Sequence, residues 1–345
     1  MISGGYAFNV LVSAAVSFAA ACLVLLVARR PFFARRPRLA VFLFAVPFAK
    51  LAVEIARGVP AGAFFWAERA GAVPEQGTLQ VGLGVDRFGP VLRLLFGAHS
   101  GGVWRPQSAA DGLARILDRA VGRPVSAPLG LLLAAVALAL VLREITLLGR
   151  ASLAARRHMA AGVVIETRRV GLRRVDVVVS PTWQGVPFAG GLVRPWVCTS
   201  SSLWEALSPA EREAVIAHEL THLRWFDGAL LAAARIGRAL LWFAPGAGAA
   251  LRALAARCEI AADDGALRRG VEPEALASAL VHTAELVARG PTPLLPLLHR
   301  RRSLLVRRVE VLLRGERPAA LGRASIALAV LVASAALRMT AFGNP

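Results

Sequence analysis

Three residue types are nearly missing from this chain, and each absence narrows what it can be. Cysteine occurs three times in 345 residues, at Cys22, Cys198 and Cys258, an odd number, far apart and without a C-x-x-C. That excludes a disulfide scaffold and a cysteine zinc site, and leaves the three to packing. Lysine occurs once, at Lys50, although lysine and arginine together number 41 against 22 acidic residues. A near-total swap of Lys for Arg marks a composition bias, so the pI of about 11.7 says little about a nucleic-acid partner. No Arg cluster interleaved with aromatics and no nucleic-acid motif occurs, and no direct nucleic-acid binding is expected. Tyrosine also occurs once, at Tyr6, which removes phenolic donors from any site built later in the chain.

What is abundant is apolar surface. The chain is 56% hydrophobic with a mean hydropathy of +0.57, well above soluble proteins. Residues 5–28 form an uncharged run long enough to span a bilayer. Arg29, Arg30, Arg35, Arg36 and Arg38 follow it and nothing basic precedes it, the reverse of a cleavable signal. The positive-inside rule then puts the N-terminus outside. A second span runs over about 39–56, carrying Lys50 and Glu54 one helical turn apart as a self-neutralising pair. A third covers about 125–142, with Arg143 and Arg150 at its inner end, and a fourth about 324–341.

This pattern predicts a multi-pass α-helical membrane protein with four transmembrane helices, both termini outside. A mainly helical α+β domain lies between the third and fourth spans. The expected divisions are residues 1–58 (two spans and an Arg-rich cytoplasmic loop), 59–124 (an extracytoplasmic loop with a short helix at 109–121), 125–150 (the third span), 151–322 (the cytoplasmic domain) and 323–345 (the fourth span). Within the domain, Val175–Val179 and Leu192–Val197 read as strands. The apolar segment 228–243 holds Arg235 and Arg238 and is short, so it reads as a buried or membrane-surface helix and not a fifth span.

The chemistry concentrates at His218-Glu219-Leu220-Thr221-His222. Ser208 and Glu211 form a capping-box pattern with Pro209 at the first helical position. No further breaker occurs before Phe226. Val215, Ile216, Leu220 and Leu223 give a core stripe at helical spacing. His218 and His222 are then one turn apart on one face and can bind one Zn²⁺, one ion per chain. Glu219 is placed to act as base toward a water on that ion. With six His in the chain, the pattern should arise by chance in roughly one such chain per hundred or fewer.

A catalytic zinc takes three protein ligands. Glu259 and Asp263, at i and i+4 in R-C-E-I-A-A-D-D-G, supply a third ligand and a second carboxylate that can orient an imidazole. His158, His282 and His299 lack such a neighbour. Asp227, five residues after His222, either supports a ligand or caps the next helix. A strand holding Leu192, Val193, Trp196 and Val197 would be an open edge on which an extended substrate can add itself. Arg308, in a basic amphipathic helix over 301–314, and His282 are candidates to stabilise the transition state. A solvated arginine face is the competing reading of Arg308.

These residues resemble those of the BlaR/MecR-type membrane zinc metallopeptidases, the antibiotic-sensing signal transducers and their shorter relatives. The likeness is carried by Pro187, Gly191, Leu203, the helix E-R-E-A-V-I-A-H-E-L-T-H, Asp227, L-L-W-F-A-P at Leu240–Pro245, Glu259 with Asp263, and R-R-V-E-V-L-L at Arg307–Leu313. It implies a gluzincin-like domain facing the bacterial cytoplasm, anchored in the cell membrane. His218, His222 and Glu259 would be the zinc ligands and Glu219 the catalytic carboxylate. The implied partners are the lipid bilayer and a cytoplasmic protein substrate, a transcriptional repressor or the chain itself; pairing with a second copy is left open. The antibiotic sensors continue into an extracellular penicillin-binding domain, and this chain is expected to be a short form without it. The family also has Asn where Ala244 stands and Cys where Ala262 stands. Two other classes compete: a quality-control or prenyl-processing type of membrane zinc protease, and a non-proteolytic transducer using zinc as a scaffold.

Overall fold

The computed structural model describes residues 11–56 apart from 13, 16, 17, 20, 21 and 23, and residues 106–121, 125–289, 295–314 and 322–338. The helices are α1 (Val24–Ala28), α2 (Pro31–Ala34), α3 (Pro37–Ala56), α4 (Pro106–Val121), α5 (Ser126–Ala160), α6 (Ser201–Ala206), α7 (Pro209–Trp225), α8 (Asp227–Leu240), α9 (Ala247–Leu267), α10 (Pro273–Arg289), α11 (Leu295–Leu313) and α12 (Arg323–Arg338). The strands are β1 (Val163–Val170), β2 (Arg173–Ser180), β3 (Phe188–Gly190) and β4 (Trp196–Ser200). The protein is thus mostly helical with one small sheet. The extracytoplasmic loop expected at 59–124 falls largely outside the described residues, as does the side chain of Glu54.

Helix α5 is the long one. By length and composition, its stretch Pro128–Ala160 is the one helix among the described residues able to cross a membrane. Leu131, Leu132, Leu138 and Leu142 on it are exposed. It continues well past residue 142, where its apolar stretch was expected to end, because Gly149 is the only helix-weakening residue before Gly162. At Gly162 the chain turns into β1, and a side chain there would meet Val178 and the Val179 carbonyl.

The sheet order is β1-β2-β4-β3, with β2 and β4 parallel and both outer pairs antiparallel. Motif helix α7 lies across it. Ile216, Leu220 and Leu223 of α7 pack on Val170, Val175, Val177 and Val197. Burial of each such side chain contributes about 1.5–3 kcal/mol. The opposite face of α7, Ala214 and Ala217, packs on Ala266, Leu276, Ala277 and Leu312 of α9, α10 and α11. α7 is therefore a central helix, apolar on both sides. A third cluster joins α3 to α8, α9 and α12 through Leu43, Phe44, Phe48, Leu241, Leu254, Cys258, Ala329 and Ala333. The expected surface-or-buried helix at 228–243 is α8, packed into this cluster.

The edge-strand expectation needs correction. Trp196 and Val197 lie in β4, an interior strand paired on both sides. Leu192 and Val193 lie in no strand; they sit exposed in the loop joining β3 to β4. The cause is local. Gly191 adopts φ of 80°, where a side chain would strike the Arg194 carbonyl, and Pro195 can donate no ladder hydrogen bond. The chain reverses there, and β3 becomes the outer strand.

Candidate metal centre

α7 begins where the sequence says it should. The Ser208 hydroxyl accepts from Glu211 N–H at 3.3 Å, and Ser208 N–H donates to Glu211 Oε2 at 2.8 Å, closing the capping box. From that start, His218 and His222 fall one turn apart, their rings edge to face with centroids 4.8 Å apart. Their Nε2 atoms converge to 3.2 Å. The carboxylate of Glu259, from α9, faces both: Oε2 is 3.6 Å from His218 Nε2, and Oε1 is 3.9 Å from His222 Nε2. One donor atom from each of the three residues falls within a sphere of mutual distances under 4.8 Å. A tetrahedral ion with ligands at about 2.0–2.1 Å has donor–donor edges of roughly 3.3 Å. The two imidazoles already stand at that spacing and the carboxylate slightly outside it. The donor set of two nitrogens and one oxygen fits a zinc-type ion, with the fourth position left to water or substrate.

Behind each imidazole stands a second carboxylate. Asp263 Oδ1 is 3.0 Å from His218 Nδ1, off the axis of the ring N–H, so the contact is ionic more than a well-aligned hydrogen bond. Asp227 Oδ2 is 2.8 Å from His222 Nδ1. Both arrangements turn Nδ1 toward a carboxylate and leave Nε2 for an ion. Asp227, read either as supporting a ligand or as capping the next helix, makes its contact with His222. It opens α8 immediately after Phe226, the one non-glycine residue with positive φ (55°) among the described residues. That corner folds the chain so that Asp227 lies under His222. The Phe226 ring is held by the Arg173 guanidinium 4.3 Å from its centroid.

Arg308 is not a solvated surface residue, and its donors are not free for an oxyanion. Its Nε and Nη2 donate to the two oxygens of Asp263, each at 2.7 Å, and Nη1 donates to Glu259 Oε2 at 2.9 Å. Burial alone would lower the guanidinium pKa, but Asp263 and Glu259 raise it above its ordinary value. The converse holds for the carboxylates: burial would raise both, yet His218 and Arg308 hold Glu259 well below the usual range, and Arg308 does the same for Asp263. Burial likewise opposes a proton on His218, but Asp263 and Glu259 outweigh it and raise its pKa to about 10. The two carboxylates thus favour the protonated ring of His218.

Glu219 is buried beside His218 and lies within electrostatic reach of Arg308. His282 is elsewhere: its Nδ1 is 2.9 Å from Glu211 Oε1 at the N-terminal end of α7, so it does not serve the site. His158 bonds Thr182 at 2.9 Å, away from the cluster, and the side chain of His299 lies outside the described residues. Ala244 and Ala262 are both buried and supply no polar group. Sequence reasoning missed Arg38. Its Nη1 and Nη2 donate to Asp227 Oδ1 and Oδ2 at 2.7 and 3.0 Å, whereas in sequence it reads only as one of a run of topogenic arginines.

Compared with families of known proteins, residues 126–312 match the family described as BlaR1 peptidase M56. The match covers more than half of the 345 residues and includes every candidate ligand. No curated protein and no solved structure matches the chain.

Proposed function

The chain belongs to the BlaR1 peptidase M56 family, membrane-associated metallopeptidases, and on that premise we propose that it is an integral-membrane zinc endopeptidase. In this reading it relays an extracytoplasmic signal by cutting a cytoplasmic protein, a transcriptional repressor or itself. The observation that carries the proposal is the convergence of His218, His222 and Glu259 donor atoms, with Glu219 buried in the same turn of helix α7. The proposal includes four spans with both termini outside and a gluzincin-like domain in the bacterial cytoplasm between the third and fourth. The long apolar α5 and the shorter apolar Arg323–Ala333 segment support that layout.

A bound zinc ion would polarise the scissile carbonyl and make a neighbouring water acidic. The chain's own residues supply the rest. His218 and His222 would hold such an ion through Nε2 together with the Glu259 carboxylate, and each imidazole faces a carboxylate at Nδ1. Glu219 accepts the proton from the attacking water and returns it to the leaving amine. β3 carries the substrate: its outer side has no partner strand among the described residues, and α7 packs beside it. An extended peptide can extend the sheet there through main-chain hydrogen bonds.

The test is zinc content of the detergent-purified chain, with self-cleavage and cleavage of a candidate repressor followed on the same samples. Wild type should hold about one zinc, Glu259→Ala should lose it, and Glu219→Ala should keep it without cutting. Zinc held by Glu259→Ala as tightly as by wild type would remove the third ligand. A wild-type chain without zinc would overturn the metallopeptidase reading, and a chain that holds zinc and relays its signal with Glu219→Ala in place would make it a scaffold.

A further inference from the structure

Arg38 stands outside the segment that matches the family. It sits at the start of α3, an element packed against α9, the helix that carries Glu259. Its side chain is 10% exposed and that of Asp227 is 2% exposed. The pair is a two-pronged fork, with both guanidinium amino groups on both carboxylate oxygens. Asp227 Oδ2 is shared: it accepts from Arg38 Nη2 at 3.0 Å and lies 2.8 Å from His222 Nδ1. The guanidinium is also held 5.2 Å from the Trp225 ring centroid, at the last residue of α7.

We propose that Arg38 is a positioning residue of the metal centre: acting through Asp227, it fixes the ring of His222. The inference rests on the metallopeptidase reading above and extends it to a residue of the N-terminal helical layer. The physical chain is short. A planar fork immobilises both oxygens of a carboxylate in a way a point charge does not. With Asp227 fixed, Oδ2 presents one remaining lone-pair direction to the Nδ1–H of His222. That selects the tautomer whose Nε2 is unprotonated and aims it at the ligand position. Asp227 belongs to α8, His222 to α7 and Arg38 to α3, so the ring's orientation depends on where α3 stands against the α7–α8 corner. A displacement of α3 that breaks the fork would free Asp227 to rotate and loosen a ligand, with no change in the ligand set itself. This is a physical route by which the membrane-proximal N-terminal helices can set the competence of the site.

The experiment uses the full chain in detergent, loaded with Co²⁺ in place of zinc, and reads the dissociation constant and the visible absorption bands. The samples are wild type, Arg38→Ala, Arg38→Lys, Asp227→Asn and the double variant Arg38→Ala/Asp227→Asn. Loss of an orienting partner of this kind weakens metal binding by about 10- to 100-fold. Arg38→Ala is expected to weaken binding about tenfold and to shift the bands. Asp227→Asn should do at least as much, and the double variant no more than Asp227→Asn, because the two act in series. Arg38→Lys keeps the charge without the fork and should recover part of the affinity while the bands remain shifted; it also keeps the test decisive if the alanine variant does not fold. Unaltered affinity and bands in Arg38→Lys and Arg38→Ala, or losses that simply add in the double variant, would overturn the proposal. A wild-type chain that binds no cobalt would overturn the metal-centre reading itself, a separate result.

Discussion

Arg308 grips Asp263 through two parallel hydrogen bonds of 2.7 Å each, with 10% and 8% of the two side chains exposed. This pair, 45 residues apart in sequence, fastens α11 to α9 directly behind His218, the first of the two motif histidines. Removing one partner of a buried pair strands the other charge, at a cost of about 3–5 kcal/mol. Arg308→Ala should therefore lower the unfolding free energy by about that much and weaken metal binding, since the carboxylates of Asp263 and Glu259 lose the fork that holds them in place. Thermal unfolding and metal titration of the same sample check this. A variant with wild-type stability and affinity would show the fork to be dispensable.

Metal binding should depend on pH in one direction. His218, with a pKa raised to about 10 in the metal-free pocket, must give up its proton to ligate. Apparent affinity should rise about tenfold per pH unit across the neutral range and level off above about pH 10. The protonated pocket has the opposite effect on the metal-free fold. Because the folded pKa lies above the ordinary value of about 6.5, the stabilisation is complete below that value and fades as pH rises toward 10. Chelator-competition titrations between pH 6 and 9 test the first statement, and melting of metal-free protein tests the second. A flat affinity profile would contradict the protonated ring of His218.

At Gly265 the Glu259 helix packs tightly against Thr221 of the motif helix. A side chain there would collide with Cβ, Oγ1 and Cγ2 of Thr221, which is 2% exposed with its hydroxyl bonded to the Ala217 carbonyl at 2.9 Å. Gly265→Ala should push α9 from α7 and cost about 1–3 kcal/mol by overpacking. Because Glu259 rides on α9, zinc affinity should fall too. Pairing it with Thr221→Ala should restore part of both; no recovery would place the damage elsewhere.

The cap of α7 offers a contrasting case. Ser208→Ala removes one acceptor of the capping box and should lower stability by about 1 kcal/mol. Metal affinity should stay near wild type, since Ser208 lies more than two turns from His218. Denaturant unfolding and metal titration together separate the two effects.

The motif helix and the convergence of His218, His222 and Glu259 were legible because their signals are local: a capping box, an i and i+4 spacing and a second pair of acids in helical register. The α8 and α9 helices were legible for the same reason. β1 was not anticipated, since Glu166, Arg168 and Arg169 interrupt its apolar alternation and most of the strand is exposed. Its pairing with β2 is set by the Gly171 turn and by tertiary contact. Leu192 and Val193 misled because an apolar run looks the same in a strand and in a hairpin loop; the Gly191 backbone and Pro195 decide the matter. Arg308 and Arg38 carry roles that no spacing encodes. Each meets its carboxylate only through long-range packing, and a composition rich in arginine hides the few that are buried.

The Arg308 clamp also gives the centre an order of assembly along the chain. The candidate ligands lie at 218, 222 and 259, the carboxylates behind them at 227 and 263, and the buried arginines at 38 and 308. During synthesis, every ligand leaves the ribosome before the guanidinium that neutralises Glu259 and Asp263 is made. A nascent chain stopped short of Arg308 would carry a full ligand set with two crowded, unbalanced acids. The carboxylates of α9 therefore gain their guanidinium partner only once α11 has been made and packed against them.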